Sequence, residues 1–227
     1  MRWSVLLALT LALAGCGGKT QSAGGDTSTD STPPPPPATT PPPAGSCKRV
    51  SAPKPKADGG QKAPKETLDP EKTYTVAIQT NCGSFTITLD QNQSPRATAA
   101  FVALANAGFF DQTTFHRIVP GFVIQGGDPT GTGRGGPGFS TLDPPRPTAR
   151  YTLGVVAMAK TGAEPPGTAG SQFFVVTADD AGLPPDYAVI GAVTNGLPVV
   201  LRIGALGNAM EQPTQPVVIS RTTVAEA

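Results

Sequence analysis

The 227-residue chain has few charged residues, one histidine and three cysteines, and each scarcity excludes a class of function. Charged residues make up 15% of the sequence, with 17 Lys and Arg against 16 Asp and Glu. This balance argues against electrostatic binding of nucleic acid, which needs a clearly basic surface. One histidine excludes a histidine-rich metal site, and three cysteines do not make a disulfide scaffold. No metal site and no cofactor are expected.

Proline and glycine, in contrast, are abundant, and the prolines are unevenly distributed. Twelve of the 26 prolines lie between Pro33 and Pro70, whereas all nine phenylalanines lie between Phe85 and Phe174. A segment so poor in apolar residues buries too little surface to offset its chain entropy. Residues 16–70 are therefore predicted to form a disordered linker, with polyproline II in the proline runs. Two interpretations of this linker are open: it is a spacer that lifts a domain off a membrane, or it contains a proline-rich motif that a partner recognises.

The first 15 residues have the pattern of a bacterial export signal. Arg2 supplies a positive charge, and an apolar run too short to span a bilayer follows. The sequence Leu-Ala-Gly-Cys at residues 13–16 resembles the bacterial lipobox, which implies cleavage before Cys16 and acylation of its thiol. Acyl chains at this terminus would hold the protein on a membrane, outside the cytoplasm. An ordinary signal peptide with an incidental Cys16 is the alternative.

Residues 71–222 are predicted to form one mainly β domain, followed by a C-terminal tail over residues 223–227. Apolar residues alternate with polar ones on both sides of Asn81-Cys82-Gly83, which predicts a β-hairpin. The next segment predicts a helix, with Ser94 as its N-cap, Pro95 in its first turn and Gly108 at its end. Short apolar segments separated by Gly and Pro then favour a barrel or a sandwich.

The run from Phe115 to Asp128, FHRIVPGFVIQGGD, contains polar residues within apolar strands. Strand alternation would place Phe115, Arg117 and Val119 on one face of the sheet. A guanidinium among phenylalanines is costly to bury without partners, so Arg117 is a candidate functional residue.

This run resembles the cyclophilin family of peptidyl-prolyl isomerases, and a second family signature, Gly-Ser-Gln-Phe-Phe, follows at residues 170–174. The resemblance covers about residues 72–222. It implies an eight-stranded antiparallel barrel closed by two helices, with a proline-binding groove on its surface, and proline-containing polypeptides as partners. Because strand neighbours point to opposite sides, Phe173 is predicted to lie in the core.

The resemblance also assigns roles to individual residues. Arg117 matches the family's catalytic arginine and Gln125 the glutamine that holds the substrate backbone. The remaining matches are predicted to line the substrate groove: His116, Phe122, Met158, Ala159, Phe174, Leu183 and Tyr187. The competing interpretation is that Phe122, Met158 and Phe174 are core residues and that His116 is structural.

Three features depart from the family or only imitate a motif. Gly182 stands where many members have a tryptophan that contributes to cyclosporin binding, so weak binding of the drug is expected. Lys160 occupies a position that is often asparagine. The sequence Gly-Thr-Gly-Arg-Gly-Gly at residues 131–136 matches a nucleotide-binding pattern formally, but no helix follows, so a glycine-rich loop is predicted.

We therefore expect an isomerase, and a proline-peptide binding module without turnover is the main alternative; general chaperone activity is a weaker one. Exported, partly folded proteins are the expected substrates, and the domain is expected to be a monomer. Outside the cytoplasm Cys47 and Cys82 could form a disulfide, with two free thiols as the alternative.

Overall fold

The computed structural model describes residues 47–227. The predicted signal peptide over residues 1–15, the lipidation site Cys16 and the linker as far as residue 46 lie outside the described residues. Within the described part of the chain, neither helix is long and apolar enough to cross a membrane.

Two helices and eleven strands make up the domain. The helices are α1 (Pro95–Asn106) and α2 (Leu197–Gly204). The strands are β1 (Tyr74–Thr80), β2 (Gly83–Leu89), β3 (Thr113–Thr114), β4 (Arg117–Val119), β5 (Val123–Gly126), β6 (Thr141–Leu142), β7 (Val155–Met158), β8 (Thr168–Ala169), β9 (Phe173–Val176), β10 (Val189–Asn195) and β11 (Val218–Glu226).

Nine of these strands form one antiparallel sheet in the order β3-β11-β1-β2-β10-β7-β9-β5-β4, and β6 pairs with β8 separately. The sheet curls into a half-barrel, and an isolated bridge joins Thr114 at the end of β3 to Asp128 just after β5. The predicted mainly β fold with two helices is confirmed. The main sheet has nine strands instead of eight because the segment from residue 113 to 119 is broken into β3 and β4.

That break changes which residues share a face. Phe115 lies between the two strands and is fully buried in the core together with Ile118. Arg117 is only partly buried and points away from that core. The prediction that Phe115 and Arg117 share one strand face is therefore wrong, because alternation holds only within an unbroken strand.

The predicted hairpin and core are present. The alternating apolar residues of β1 and β2 are all buried, and the two strands are joined through Asn81 and Cys82 with Gly83 at a φ of +119°. Phe173 is fully buried and makes edge-to-face contacts with the rings of Phe101, from α1, and Phe115. Edge-to-face aromatic pairs of this kind add about 0.5–1.5 kcal/mol beyond the area they bury.

Helix α1 begins and ends where predicted, but its cap differs. The Ser94 side chain makes no cap hydrogen bond, and its hydroxyl is buried without a protein partner. Instead, a carboxylate from a distant loop, Asp143, accepts a hydrogen bond from the Ala97 N–H at 2.7 Å. A negative charge at a helix N-terminus is stabilising because it interacts with the unpaired N–H groups there.

Residues 47–70, which we call the strap, lie along the domain surface and are not the disordered spacer predicted for them. The ammonium of Lys56 donates to the carbonyls of Gly108 at 3.1 Å, Phe109 at 2.6 Å and Asp111 at 3.1 Å, just beyond the end of α1. Burial lowers the pKa of Lys56, although Asp111 opposes the shift. Composition predicts disorder because the segment has few apolar residues, whereas the strap is held largely through polar contacts, with Leu68 packed against the core.

Two further attachments fix the strap. Its first residue, Cys47, forms a disulfide with Cys82 in the turn of the β1–β2 hairpin. Farther along, the N–H of Gly59 donates to the carbonyl of Gly136 in the glycine-rich loop, and the N–H of Gln61 donates to the carbonyl of Pro137 just after it, each at 2.9 Å. The strap therefore connects the hairpin, the end of α1 and the glycine-rich loop.

The predicted C-terminal tail over residues 223–227 also belongs to the folded domain. Strand β11 continues to Glu226, which pairs with Tyr74 of β1, and Ala227 exchanges backbone hydrogen bonds with Thr73. The predicted end of the domain at residue 222 is therefore too early. Apolar and polar residues alternate only weakly over residues 218–226, so the sequence gives no clear end of the strand.

Candidate active site

The registers of three neighbouring strands bring the predicted catalytic pair together. Arg117 of β4 lies directly opposite Gln125 of β5, and Gln125 lies directly opposite Phe174 of β9. Side chains directly opposite each other on antiparallel strands share one face of the sheet. A cation, an amide and an aromatic ring therefore form a row on the outer face of the half-barrel.

This row forms one side of a cleft of about 190 Å³. That volume is below the roughly 300–1,000 Å³ of pockets for drug-sized ligands, and it suits a single small side chain or ring. The cleft is lined by Arg117, Phe122, Val123, Gln125, Ala159, Lys160, Phe174, Leu183 and Tyr187.

Hydrogen bonds fix the polar side of the cleft. Arg117 Nη1 donates to Gln125 Oε1 at 3.3 Å, and Gln125 Nε2 donates to Gln172 Oε1 at 3.0 Å. Gln172 in turn donates to the carbonyl of Gly135 at 3.0 Å. Arg117 Nε donates to Glu211 Oε2 at 2.7 Å. The guanidinium is thus held from two sides, and the orientation of the Gln125 amide is set by its two partners.

Aromatic rings build the opposite wall. The rings of Phe174 and Tyr187 meet edge to face with centroids 5.4 Å apart, and buried Tyr151 contacts Tyr187 in the same way at 5.8 Å. The Tyr151 hydroxyl donates to the carbonyl of Tyr187 at 2.8 Å and accepts from its N–H at 2.9 Å. Tyr151 therefore fixes the backbone that presents Tyr187 to the cleft.

A buried cation lies at the rim of the cleft. The side chain of Lys160 is only 3% exposed, and its ammonium pairs with Asp186 at 2.6 Å and lies 5.6 Å from the centre of the Tyr187 ring. A lysine at this depth needs such partners, because an unpaired buried charge is strongly destabilising.

The glycine-rich loop that receives Gln172 is organised by one buried carboxylate. Asp128 is fully buried and accepts hydrogen bonds from the N–H groups of Thr130 at 2.7 Å and Arg134 at 3.1 Å, as well as from Gly133. Burial raises the pKa of Asp128, but the hydrogen bonds outweigh it and the net pKa lies below the ordinary value of 3.8. The loop wraps the carboxylate, and the next element after it is the strand β6 and not a helix, as predicted.

We expect Asp128→Asn to lower the free energy of unfolding at pH 7 by about 2–3 kcal/mol, since charged hydrogen bonds of this kind are lost. Because the folded-state pKa is lowered, the stabilisation is complete above pH 3.8 and is lost as the pH falls through the folded value. Urea unfolding from pH 7 to pH 2.5 should show the two proteins converging in acid. A stability difference that stays constant over this range would contradict the assignment.

Two predicted groove residues lie elsewhere. Met158 is fully buried in the core with Phe173, on the side of β7 opposite Ala157 and Ala159. His116 is absent from the cleft lining, and both of its ring nitrogens are buried without a hydrogen-bond partner. Burial lowers the pKa of His116; Asp128 opposes this effect and Arg117 adds to it.

The position of Met158 yields a direct comparison with Phe122, which does line the cleft. Met158→Leu keeps the volume of the side chain, so we expect a loss of less than about 1.5 kcal/mol in the free energy of unfolding and no change in the affinity for a proline peptide. Phe122→Ala removes apolar surface from the cleft and should weaken binding of a proline peptide by about tenfold or more. Calorimetric titration with the peptide checks both variants, and a weaker affinity in Met158→Leu would place Met158 in the groove.

Four residues at the site escaped the sequence analysis as site residues. Val123 lies two positions from Gln125 on β5, so strand alternation could have indicated it. Lys160 directly follows Ala159, and Gln172 is itself part of the second family signature. Glu211 lies 94 residues from Arg117 in the sequence and carried no local signal. Within residues 47–227, no group of three or more His, Cys, Asp or Glu is placed to hold a metal ion.

Similarity to known proteins agrees with this geometry. The family model for cyclophilin type peptidyl-prolyl cis-trans isomerase/CLD matches residues 75–224. Peptidyl-prolyl cis-trans isomerase-like 1 of Neurospora crassa is 40% identical over 154 residues, which is 66% of this chain and 93% of the relative. The probable peptidyl-prolyl cis-trans isomerase A of Mycobacterium bovis is 37% identical over 179 residues, covering 70% and 96%.

A solved structure gives the same result. The cyclophilin type isomerase of Cryptosporidium parvum, crystallised in the presence of the dipeptide Ala-Pro, superposes with a TM-score of 0.62 at 32% identity, covering 66% of this chain and 98% of that one. Both family signatures lie within residues 75–224, as does the curled sheet except for the first residue of β1 and the last two residues of β11. The chain belongs to the family of cyclophilin-type peptidyl-prolyl cis-trans isomerases.

Proposed function

We propose that the cleft isomerises X-Pro bonds, with Arg117 donating to the prolyl nitrogen and Gln125 holding the substrate backbone. Amide resonance sets a rotational barrier of ~18–20 kcal/mol. When the bond is twisted, resonance is lost and the prolyl nitrogen regains a lone pair. A donor fixed in advance near that nitrogen stabilises the twisted state more than either planar isomer, and this difference is what accelerates rotation. No nucleophile is required.

The observation that carries this proposal is the row formed by Arg117, Gln125 and Phe174 across β4, β5 and β9. A module that only bound proline would need the apolar part of the cleft and no cation beside it. Phe122, Phe174 and Leu183 supply an apolar socket for the proline ring, with Ala159 and Tyr187 at its edge. The Ala-Pro dipeptide present with the Cryptosporidium parvum relative supports a proline residue as the occupant.

Exchange spectroscopy on a short Ala-Pro peptide tests the proposal. We expect the full chain to raise the cis–trans exchange rate far above that of the free peptide, which interconverts over tens of seconds or longer. Binding of the peptide without faster exchange would show that the cleft is a binding module. Absence of both binding and faster exchange would show that the cleft is not a site for X-Pro peptides.

We further propose that the isomerase acts on exported, partly folded polypeptides, as a monomer tethered through acyl chains on Cys16. The support is the signal-like pattern of residues 1–16, together with the Cys47–Cys82 disulfide, which suits an oxidising compartment. Mass spectrometry of the mature protein should find an acylated Cys16 as its first residue. An unmodified N-terminus would rule out the tether.

We also propose that cyclosporin binds weakly, because the family resemblance implies that many members have tryptophan at the position of Gly182. A Cβ added at Gly182 would meet open space, although the φ of +63° is unfavourable for a side chain. We expect Gly182→Trp to raise cyclosporin affinity about tenfold and to lower the free energy of unfolding by about 1–2 kcal/mol. Fluorescence titration with the drug measures the first effect, and unchanged affinity would contradict the expectation.

A further inference from the structure

The loop after α2, residues 207–213, is built around one asparagine and presents one carboxylate to the active site. The side-chain oxygen of Asn208 accepts hydrogen bonds from the N–H groups of Met210 at 2.9 Å and Gln212 at 3.0 Å. An isolated bridge between Gly207 and Pro213 closes the loop. Glu211, between these anchors, has a φ of +62°, which is uncommon for a residue other than glycine. The loop thus holds Glu211 in one defined backbone conformation.

Glu211 is joined to the strand of Arg117 twice. Its carbonyl accepts a hydrogen bond from the N–H of Ile118 at 2.9 Å, and its carboxylate accepts from Arg117 Nε at 2.7 Å. The backbone contact fixes the distance between loop and strand, so the carboxylate meets the guanidinium at a set position. Glu211 itself lies outside both family signatures.

The contact leaves the working part of the guanidinium available. Nε is occupied by Glu211 and Nη1 by Gln125, whereas Nη2 has no hydrogen-bond partner among residues 47–227. Arginine side chains have many rotamers, and holding one of them in advance removes an entropic cost from the reaction. The pair is half exposed, with side-chain exposures of 34% for Arg117 and 51% for Glu211, so it contributes little to the stability of the fold.

We propose that Glu211 is a positioning residue, which fixes the Arg117 guanidinium so that its free N–H groups face the prolyl nitrogen. This inference rests on the proposed role of Arg117. It is a claim about orientation, because a neighbouring carboxylate lowers the net charge that Arg117 presents and would by itself weaken stabilisation of a lone pair. The hydrogen bond and the charge of Glu211 therefore act in opposite directions.

Two variants separate those contributions. Glu211→Ala removes the hydrogen bond and the charge, and we expect kcat to fall on the order of tenfold while peptide affinity changes by less than about twofold. Glu211→Gln keeps an oxygen that can accept from Nε, and kcat should stay within about threefold of wild type. The Arg117 Nε–H signal in ¹⁵N spectra should lose its hydrogen-bonded shift in Glu211→Ala and keep it in Glu211→Gln.

Met210→Ala is the matched control, because Met210 is 74% exposed in the same loop and its side chain lies outside the cleft lining. It should leave both kcat and affinity unchanged. The inference is overturned if Glu211→Ala retains wild-type kcat, or if Met210→Ala loses as much as Glu211→Ala. Failure of the proposed function would appear differently, as absence of turnover in the wild-type chain.

Discussion

Replacing Arg117 by alanine is expected to lower kcat/KM by about 10²–10³-fold, the loss that follows removal of one preorganised donor at a transition state. The affinity for a ground-state proline peptide should change by less than about threefold. The socket formed by Phe122, Phe174 and Leu183 stays in place, and in the proposed mechanism only the twisted amide uses the guanidinium. Exchange spectroscopy measures the rate, and calorimetric titration measures the affinity.

Two further arginine variants make this prediction specific. Arg117→Lys keeps a positive charge without the planar donor group, and it should retain only a small part of the activity. Arg221→Ala removes an exposed arginine from β11 and leaves the cleft unchanged, so its kcat/KM should equal that of wild type. Equal losses of rate and affinity in Arg117→Ala would mean that Arg117 only binds substrate.

The double variant Cys47→Ser, Cys82→Ser is expected to lower the free energy of unfolding by about 2–4 kcal/mol. The disulfide joins residues 35 positions apart, and in the chain-entropy account a crosslink of that length limits the unfolded chain considerably. The disulfide also anchors the strap at its first residue. Urea unfolding measures the loss of unfolding free energy. Reducing the wild-type protein should cause the same loss, whereas adding reductant to the double variant should cause no further loss.

Without the disulfide, the strap keeps the packing of Leu68 against the core and its polar contacts, among them those at Lys56 and along the glycine-rich loop. Hydrogen exchange at the Gly59 and Gln61 amides should therefore become faster, while exchange in the paired strands β1 and β2 changes only with global stability. An unfolding free energy and an exchange pattern equal to those of wild type would contradict a stabilising role for the crosslink.

Local sequence patterns predicted the elements whose formation depends on neighbouring residues, namely the first hairpin and α1. The hairpin over Tyr74–Leu89 follows from alternation and a turn, and α1 from Pro95, Gly108 and helical spacing. Resemblance to a family placed Arg117, Gln125 and Phe174 in one cleft. Met158 was misplaced by the same resemblance, although alternation with Ala159 along one strand argues that both cannot face the groove.

Apart from the Cys47–Cys82 pairing, contacts between distant parts of the chain were beyond sequence reasoning. Lys56 is one of several lysines in a polar segment, and only the fold reveals the three carbonyls that bind it. Asp143 caps α1 from 46 residues away, which no capping pattern in the sequence indicates. Glu211 reaches Arg117 only because the loop after α2 comes back to β4. In each case a polar group finds partners that tertiary structure supplies.

A structure of the full chain bound to a short Ala-Pro peptide tests the central claim most directly. The account predicts the proline ring between Phe122, Phe174 and Leu183, the Gln125 amide on the peptide backbone, and an Arg117 N–H directed at the prolyl nitrogen within hydrogen-bond distance, about 3 Å. A proline ring bound outside the cleft, or an Arg117 side chain turned away from the bound peptide, would contradict it.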